Sequence, residues 1–219
     1  MDHAEMINNK VSLKGTIVGQ PTYSHEVFGE GFYETNIKVK RLSEQVDVLP
    51  MTVSERLVAK IGLAEGKEIA VKGQFRSYNK VDAERSRLML TVFAREISEP
   101  CESDVPNLIE ITGYICKPPL YRTTPFKREI CDVLIAVNRA YNKSDYIPCI
   151  AWGRNARYVS TLAVGERIHL EGRVQSREYQ KQLPSGDVVV RTAYEVSVTK
   201  LSVLDENEPE LEEFAALCP

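Results

Sequence analysis

The sequence contains little of what most enzymes and membrane proteins require. Only three histidines occur among its 219 residues, and there is no Walker phosphate loop, GxSxG or HExxH motif. No apolar stretch is long enough to span a membrane, and the N-terminus, MDHAEMINNK, lacks the apolar run of a signal peptide. We therefore expect a protein that is not an enzyme, with no cofactor, no bound metal and no membrane association.

Cysteine and tryptophan are also scarce. The five cysteines are odd in number and contain no CxxC pair, so they are interpreted as reduced thiols of a cytoplasmic protein. A single tryptophan, Trp152, is present. With 43% hydrophobic and 27% charged residues, the composition is that of a globular protein with enough apolar material for packed cores.

The net charge of −3 is unevenly distributed along the chain. Six acids and no base fall in residues 205–213, DENEPELEE, and the remaining sequence has 28 basic against 25 acidic residues. The basic excess lies wholly within residues 101–204. An acidic tail with interspersed proline is typical of a disordered terminus, and a mildly basic second half favours an anionic partner.

An internal repeat dominates the sequence. A shift of 98 residues brings identical residues together, and a shift of 99 continues the match beyond a one-residue slip. The pairs include Asn9/Asn107, Gly15/Gly113, Ile37/Ile135, Arg41/Arg139, Asp47/Asp145, Gly73/Gly172 and Ser77/Ser176. The chain is therefore predicted to contain two copies of one domain, residues 1–98 and 107–204, joined by a linker at 99–106 and followed by the acidic tail, 205–219.

Each copy has the pattern of five short strands with one helix between the third and the fourth. Alternating apolar residues predict strands, residues 19–33 are interpreted as a long loop, and SERLVAKI at 54–61 predicts a helix capped by Ser54 and ended by Gly62. Gly73 and Gly172 mark bends inside strands. Two prolines and three acids in the linker predict a semi-rigid spacer that keeps the copies apart.

The stretch 145–179 indicates what the second copy can bind. In residues 146–152, Ile147, Cys149 and Ala151 share one parity, while Tyr146 and Trp152 share the other. Side chains alternate across a strand, so the outer face is predicted to carry aromatic rings, and the 168–179 strand adds cations to it. Rings that stack bases and cations that hold phosphates are typical of single-stranded nucleic-acid binding. The pattern alone is equally compatible with an ordinary sheet whose outer surface carries aromatic residues.

The segments AVNR (136–139), DYIPCIAWGR (145–154) and EGRVQSREY (171–179) resemble the bacterial single-stranded DNA-binding protein family. The resemblance covers most of residues 107–200 and implies an all-β protein with two tandem oligonucleotide-binding (OB) folds, each a five-stranded Greek-key barrel with a short helix. The family's base-stacking positions fall on Tyr146, Trp152 and Tyr179. The first copy has Val48, Ser54 and Lys80 there, so we expect its binding face to be degenerate.

The resemblance implies a protein that binds single-stranded DNA with little sequence preference in replication, recombination or repair. Its expected location is the bacterial cytoplasm, associated with the nucleoid. Cations and loop residues are expected to complete the surface around the three stacking rings: Arg139, Arg154, Arg173, Arg177, Lys181, Tyr121, Arg122, Lys127 and Arg128.

The family's assemblies normally contain four barrels, so a homodimer of this tandem chain is expected. The acidic tail lacks the family's terminal Asp-Pro-Phe pattern, so it is either a contact for replication and repair proteins or only a solvating terminus. An alternative interpretation is a primosome-type adaptor, because primosomal replication protein N is similar to the same family and binds mainly replication proteins. RNA is a third possibility, since stacking does not distinguish ribose from deoxyribose.

Overall fold

The computed structural model describes residues 8–41, 43–82, 85–182 and 186–204. The first copy contains strands β1 (Asn9–Val27), β2 (Glu30–Lys40), β3 (Val46–Ser54), β4 (Glu68–Asp82) and β5 (Arg85–Ser98), with helix α1 (Glu55–Ile61) between β3 and β4. The second contains β6 (Asn107–Ile115), β7 (Leu120–Thr123), β8 (Glu129–Arg139), β9 (Lys143–Trp152), β10 (Arg167–Gln182) and β11 (Val188–Val203), with α2 (Arg154–Val159) between β9 and β10.

Both copies close into five-stranded barrels. In the first, β1 pairs with β2 and β4, β2 with β3, β4 with β5, and the parallel pair β3–β5 closes the ring. The second barrel closes in the same way, with the strand order β6, β8, β9, β11, β10 and back to β6. The short strand β7 is added beside β8. This is the strand order of the OB fold, and the predicted fold class is confirmed.

Apolar side chains of alternating parity fill the two barrels. Leu13, Ile37, Leu49 and Phe75 are fully buried in the first barrel, and the equivalent positions of the second are buried as well. The predicted helix is present, with Gly62 in the left-handed conformation at its end, although the Ser54 side chain makes no capping hydrogen bond. The period-2 pattern of the strands therefore located the core correctly.

Residues 19–33 form a β-hairpin, contrary to the long loop that the sequence suggested. β1 continues to Val27, β2 begins at Glu30, and the turn between them has positive φ angles at Phe28 (50°) and Gly29 (79°). Thr22–Glu34 and Tyr23–Tyr33 are among its cross-strand pairs. Tyr23, Phe32 and Tyr33, which looked like loop residues, are paired strand residues, because aromatic side chains pack well on a pleated surface.

The linker was predicted to keep the two barrels apart, but this is wrong. The two barrels share one continuous sheet. β1 pairs with β6 in an antiparallel ladder centred on Val11 and Ile109, which are equivalent residues of the two copies. The linker lies along β1, where Lys14 donates its backbone N–H to Pro106 O at 3.0 Å. The copies are thus related by a local pseudo-twofold axis, as in an isologous dimer interface.

A second, reciprocal set of contacts crosses the same axis. Asp47 Oδ1 accepts hydrogen bonds from Arg41 Nη2 (2.6 Å) and from Ser176 N of the second barrel (2.7 Å). The equivalent Asp145 Oδ1 accepts from Arg139 Nη1 (3.3 Å) and from Ser77 N of the first barrel (2.8 Å). We call these two groups the Asp47 clasp and the Asp145 clasp. Each fastens one barrel to a strand of the other.

Gly172 and Gly73 lie at equivalent bulges, where β10 and β4 bend to close the barrels. A Cβ atom on Gly172 would lie 2.3 Å from Ser197 O, and one on Gly73 would lie 2.2 Å from Phe93 O. Real side chains do not approach a backbone oxygen so closely, so the neighbouring strand would have to move. Glycine is therefore required where these strands cross closely, in agreement with the predicted bends.

We predict that Gly172→Ala lowers the free energy of unfolding by about 1–3 kcal/mol, the usual cost of overpacking. The displaced β11 would also carry Ser197 away from Trp152, so the emission of this tryptophan should change in the folded state. Urea titration followed by circular dichroism measures the first effect and fluorescence the second. Ser202→Ala, at an exposed position of β11, is the control. A variant as stable as the parent would show that β11 yields without cost.

Candidate nucleic-acid interface

Two of the predicted stacking residues, Tyr146 and Trp152, point outward from β9. Their side chains are 44% and 38% exposed, whereas Ile147 and Ala151 of the other parity are fully buried. Trp152 Nε1 donates a hydrogen bond to Ser197 Oγ on β11 at 3.2 Å. Because the indole is held by its edge, the bond fixes the ring without using its π-face. The strand therefore presents two aromatic side chains to solvent, and the ring of Trp152 is fixed by this bond.

A row of side chains crosses the barrel at the level of Trp152. Arg122 on β7 lies opposite Ile130 on β8, Ile130 lies opposite Trp152, and Ser197 lies opposite Arg173 on β10. Directly opposed residues of antiparallel strands share one face of the sheet. Trp152 consequently stands on the same face as an arginine on each side.

The third predicted stacking residue, Tyr179, lies on the projecting β10–β11 hairpin and is 37% exposed. The Arg177 guanidinium carbon lies 6.0 Å from the centre of its ring, and Arg191 pairs directly opposite it on β11. Lys181 is exposed on the same face of the hairpin. Arg191 was missed in the sequence analysis, although the alternation of β11 places it beside Tyr179.

Arg173 has a buried side-chain atom without a hydrogen-bond partner among the described residues. Its Nε is buried and has no hydrogen-bond partner in the described part of the chain, and its Nη2 reaches Gln175 Oε1 at 3.4 Å. Gln175 is itself bound to Glu195, whose Oε1 also lies 3.5 Å from Arg177 Nε. A buried guanidinium N–H that is left unpaired is costly, and an anion beside Trp152 would satisfy it.

Several of the predicted cations and loop residues are already paired with carboxylates of the protein. Arg122 forms a two-pronged ion pair with Asp132 (2.7 and 3.1 Å), and Arg139 is held in the Asp145 clasp at the junction of the barrels. The Tyr121 hydroxyl donates to Glu129 Oε1 at 2.6 Å, and this hydrogen bond raises the pKa of the phenol. These side chains would have to exchange a carboxylate for a phosphate in order to bind a strand.

The remaining predicted residues, Arg154, Lys127 and Arg128, are exposed. Arg154 is the first residue of α2, directly after the strand that carries Trp152. Lys127 and Arg128 lie in the turn between β7 and β8, where Lys127 adopts a positive φ of 59°. The structure therefore groups the predicted residues around Trp152, around Tyr179, and at the β7–β8 edge. Arg139 stands apart at the barrel junction.

Neither a metal site nor a membrane segment is found in the described residues. Among residues 8–41, 43–82, 85–182 and 186–204, no three His, Cys, Asp or Glu side chains converge as metal ligands. No helix in that part of the chain is both long enough and apolar enough to cross a membrane. The acidic tail, residues 205–219, lies outside the described residues.

Residues 106–204 match the Single-strand binding protein family, which confirms the predicted resemblance for the second copy. Single-stranded DNA-binding protein 1 of Staphylococcus aureus is 34% identical over 83 residues, and its Bacillus cereus counterpart is 31% identical over 83 residues. Each alignment covers 35% of this chain, and 50% and 49% of the relatives, so the chain spans about half their length. The family is named for binding single strands, and these relatives are named for binding single-stranded DNA.

Solved structures extend the likeness in fold to both barrels. The single-stranded DNA binding protein from Thermus aquaticus matches 92% of this chain and 95% of its own, with a TM-score of 0.70 and 20% identity. A deletion mutant of the same protein matches 93% and 98%, with a TM-score of 0.69 and 21% identity. The N-terminal domain of the PriB protein from Thermoanaerobacter tencongensis is 43% identical over 43% of this chain, with a TM-score of 0.39.

Proposed function

We propose that this protein binds single-stranded DNA with little sequence preference, and that the second barrel provides the principal surface. The observation that carries the proposal is the row through Trp152, in which a fixed, exposed indole stands between Arg122 and Arg173 on one face of an OB barrel. The match of residues 106–204 to the Single-strand binding protein family supports it. Names of the relatives describe the same ligand.

The proposed mechanism uses two kinds of contact. Bases stack on Trp152, Tyr146 and Tyr179, and stacking tolerates any sequence because every base has a π-face. Phosphates are held by cations between and beyond the rings: Arg154, Arg173, Arg177, Lys181, Lys127, Arg128, Arg122 and Arg139. Arg173 is prepared for this role by its unpaired Nε, and Arg191 adds a cation beside Tyr179.

The proposal includes the cellular setting predicted from the sequence. Coating of exposed single strands during replication, recombination or repair requires binding that does not depend on sequence, as stacking provides. A homodimer would place four barrels in one assembly, and the acidic tail would contact replication or repair proteins. The protein would act in the bacterial cytoplasm at the nucleoid.

We expect poly-dT to quench the emission of Trp152, because a stacked base lies against the indole. The affinity should fall as salt rises, with a log–log slope of about −0.7 for each phosphate contact. Titration at two salt concentrations measures both effects, and sizing before and after gives the number of chains per complex. Poly-U in a parallel titration compares RNA with DNA.

An absence of both quenching and a size shift would contradict the proposal. Trp152 would then only fill the outer surface of the sheet, and the primosome-type adaptor would become the better interpretation. Quenching that is insensitive to salt would argue against phosphate contacts by the arginines around Trp152. Equal affinity for poly-U would widen the ligand to single-stranded nucleic acid in general.

A further inference from the structure

The first barrel contains an aromatic ring at the place where Trp152 stands in the second, but a different strand supplies it. The parallel ladders pair Thr52 with Phe93 and, equivalently, Ile150 with Ser197. Phe93 is therefore the counterpart of Ser197, just as Ser54 is the counterpart of Trp152. The aromatic residue and the serine have exchanged strands between the two barrels, so the first barrel has retained a ring.

The arginine beside the ring has exchanged places as well. On β4, Gln74 and Arg76 occupy the positions that Arg173 and Gln175 occupy on β10. The Arg76 guanidinium lies 4.0 Å from the centre of the Phe93 ring, and its Nε and Nη2 donate to Gln74 Oε1 at 3.1 and 2.7 Å. Arg76 thus lies over the Phe93 ring, and Gln74 holds its guanidinium there. Planar guanidinium groups and phenyl rings both stack on bases.

Positive charge accumulates around this pair. The Arg95 guanidinium lies 5.4 Å from the centre of the same ring. Arg139 of the second barrel approaches from the junction, where it shares Asp145 Oδ1 with the backbone N–H of Ser77, the neighbour of Arg76. Burial, together with Arg95 and Arg139, lowers the pKa of Arg76 to about 10, and Asp145 opposes the shift. Like charges held so close together favour a bound anion.

Open space lies beside the ring. A cleft of about 390 Å³ is bordered by Phe32, Phe93, Arg95 and Lys60, with Ser54 at its wall. Phe32 lies 5.7 Å from Phe93 with its ring tilted by 37°. The cleft therefore combines two aromatic rings with three cations, of which Arg56 is paired with Glu30 of the same wall, and it has room for a nucleotide.

We infer that the first barrel carries its own nucleotide-binding site, in which a base stacks on the Phe93–Arg76 pair while Arg95 and Arg139 hold the flanking phosphates. The inference rests on the proposed function, because it assigns the same ligand class to a second surface. It replaces the sequence-based view that loss of the aromatic triad leaves the first barrel without a stacking platform. Since Arg139 belongs to the second barrel, one strand would pass from barrel to barrel across the junction.

A relocated tryptophan tests this site directly. In the double variant Trp152→Phe, Phe93→Trp, the only tryptophan lies in the first barrel, while a ring remains at the original position. Oligo-dT of about 40 nucleotides exceeds the roughly 4–16 nucleotides that one barrel covers, and oligo-dT of about 10 does not. We expect the long strand to quench the emission. If the variant binds the long strand but its tryptophan emission is not quenched, the inference is overturned.

Affinity measurements on single variants provide an independent test. Phe93→Ala and Arg76→Gln should weaken binding of the long strand by roughly 5- to 150-fold, the equivalent of one stacked base, and leave binding of the short strand unchanged. Phe93→Leu keeps the apolar volume and should behave like Phe93→Ala, which separates loss of stacking from loss of folding. Lys10→Gln, at an exposed position of β1, removes one positive charge elsewhere and is the control.

The outcomes separate this inference from the proposed function. If poly-dT quenches Trp152 in the parent but Phe93→Ala and Phe93→Leu bind the long strand as the parent does, the second site is excluded and the principal surface stands. If Trp152 is not quenched in the parent, the proposed function itself fails. A long abasic DNA strand, which has phosphates but no bases, tests whether the first barrel binds by stacking. Equal binding of abasic and normal strands by the relocated-tryptophan variant would overturn the stacking part of the inference.

Discussion

Replacing Trp152 and Tyr179 together with alanine is expected to weaken binding of poly-dT by roughly 2–6 kcal/mol, because each stacked base contributes about 1–3 kcal/mol. Both rings are more than one-third exposed, and they stand on different elements, so they are expected to stack on different bases. Cations beside both rings are retained in the double variant. The loss should therefore appear as weaker binding with a nearly unchanged salt dependence.

Fluorescence anisotropy of labelled oligo-dT measures this affinity, since the variant has no tryptophan of its own. Tyr158→Ala is the matched control, because this tyrosine is 46% exposed on α2 and lies outside the proposed surface. The control should bind as the parent does. A double variant with the affinity of the parent would show that the strand does not use this face.

We expect Asp47→Ala to lower the free energy of unfolding by about 3–5 kcal/mol, the range for breaking one partner of a buried ion pair. The Asp47 side chain is fully buried and accepts two short hydrogen bonds from Arg41 and one from the Ser176 N–H across the junction. Removing the carboxylate leaves a guanidinium and a backbone N–H without their acceptor. Urea unfolding at neutral pH measures the loss.

Asp132→Ala is the comparison, because Asp132 also forms a two-pronged pair with an arginine but is 37% exposed. Exposed pairs contribute about 0–1 kcal/mol, so this variant should unfold almost as the parent does. If both variants lose the same amount, the Asp47 clasp contributes no more than a surface pair. Circular dichroism before the titration establishes that each variant is folded.

The same carboxylate should make stability depend on pH. Burial raises the pKa of Asp47, but the hydrogen bonds from Arg41 and Ser176 outweigh it, and the pKa lies below its ordinary value. A carboxyl whose pKa is lowered by folding stabilises the protein above its unfolded pKa of about 3.9, and this contribution disappears as the pH falls through the folded value. The stability difference between the parent and Asp47→Asn should therefore shrink at acidic pH.

The sequence predicted the local structure of each barrel well. Strand alternation identified the core, since Ile147, Cys149 and Ala151 are buried and Tyr146 and Trp152 are exposed. The repeat led to two similar barrels, because a repeated pattern of apolar residues has to bury its cores in the same way. Glycines at the two bulges were interpreted correctly because a bend inside a strand has few other causes.

Contacts between the barrels could not be read from the sequence. Asp47 and Asp145 recur in the repeat, but nothing in the repeat indicates that each accepts a hydrogen bond from a serine of the other barrel. The edges of β1 and β6 look like ordinary sheet edges, and their mutual register depends on both barrels being formed. The Phe93 site escaped detection for a related reason: the two copies differ in the length of the hairpin before β5 and β11, so the repeat no longer aligns Phe93 with Ser197.

The pseudo-twofold arrangement gives the chain a property that two identical subunits lack. In a symmetric homodimer, the two halves must carry the same residue at equivalent places, so the surface is the same when read from either end. Here the ring stands on β9 in one barrel and on β5 in the other, a difference that is possible because both halves are encoded separately in one polypeptide. A DNA strand that crosses both barrels would contact two different surfaces in succession. Its two possible 5′-to-3′ directions of binding would therefore not be equivalent.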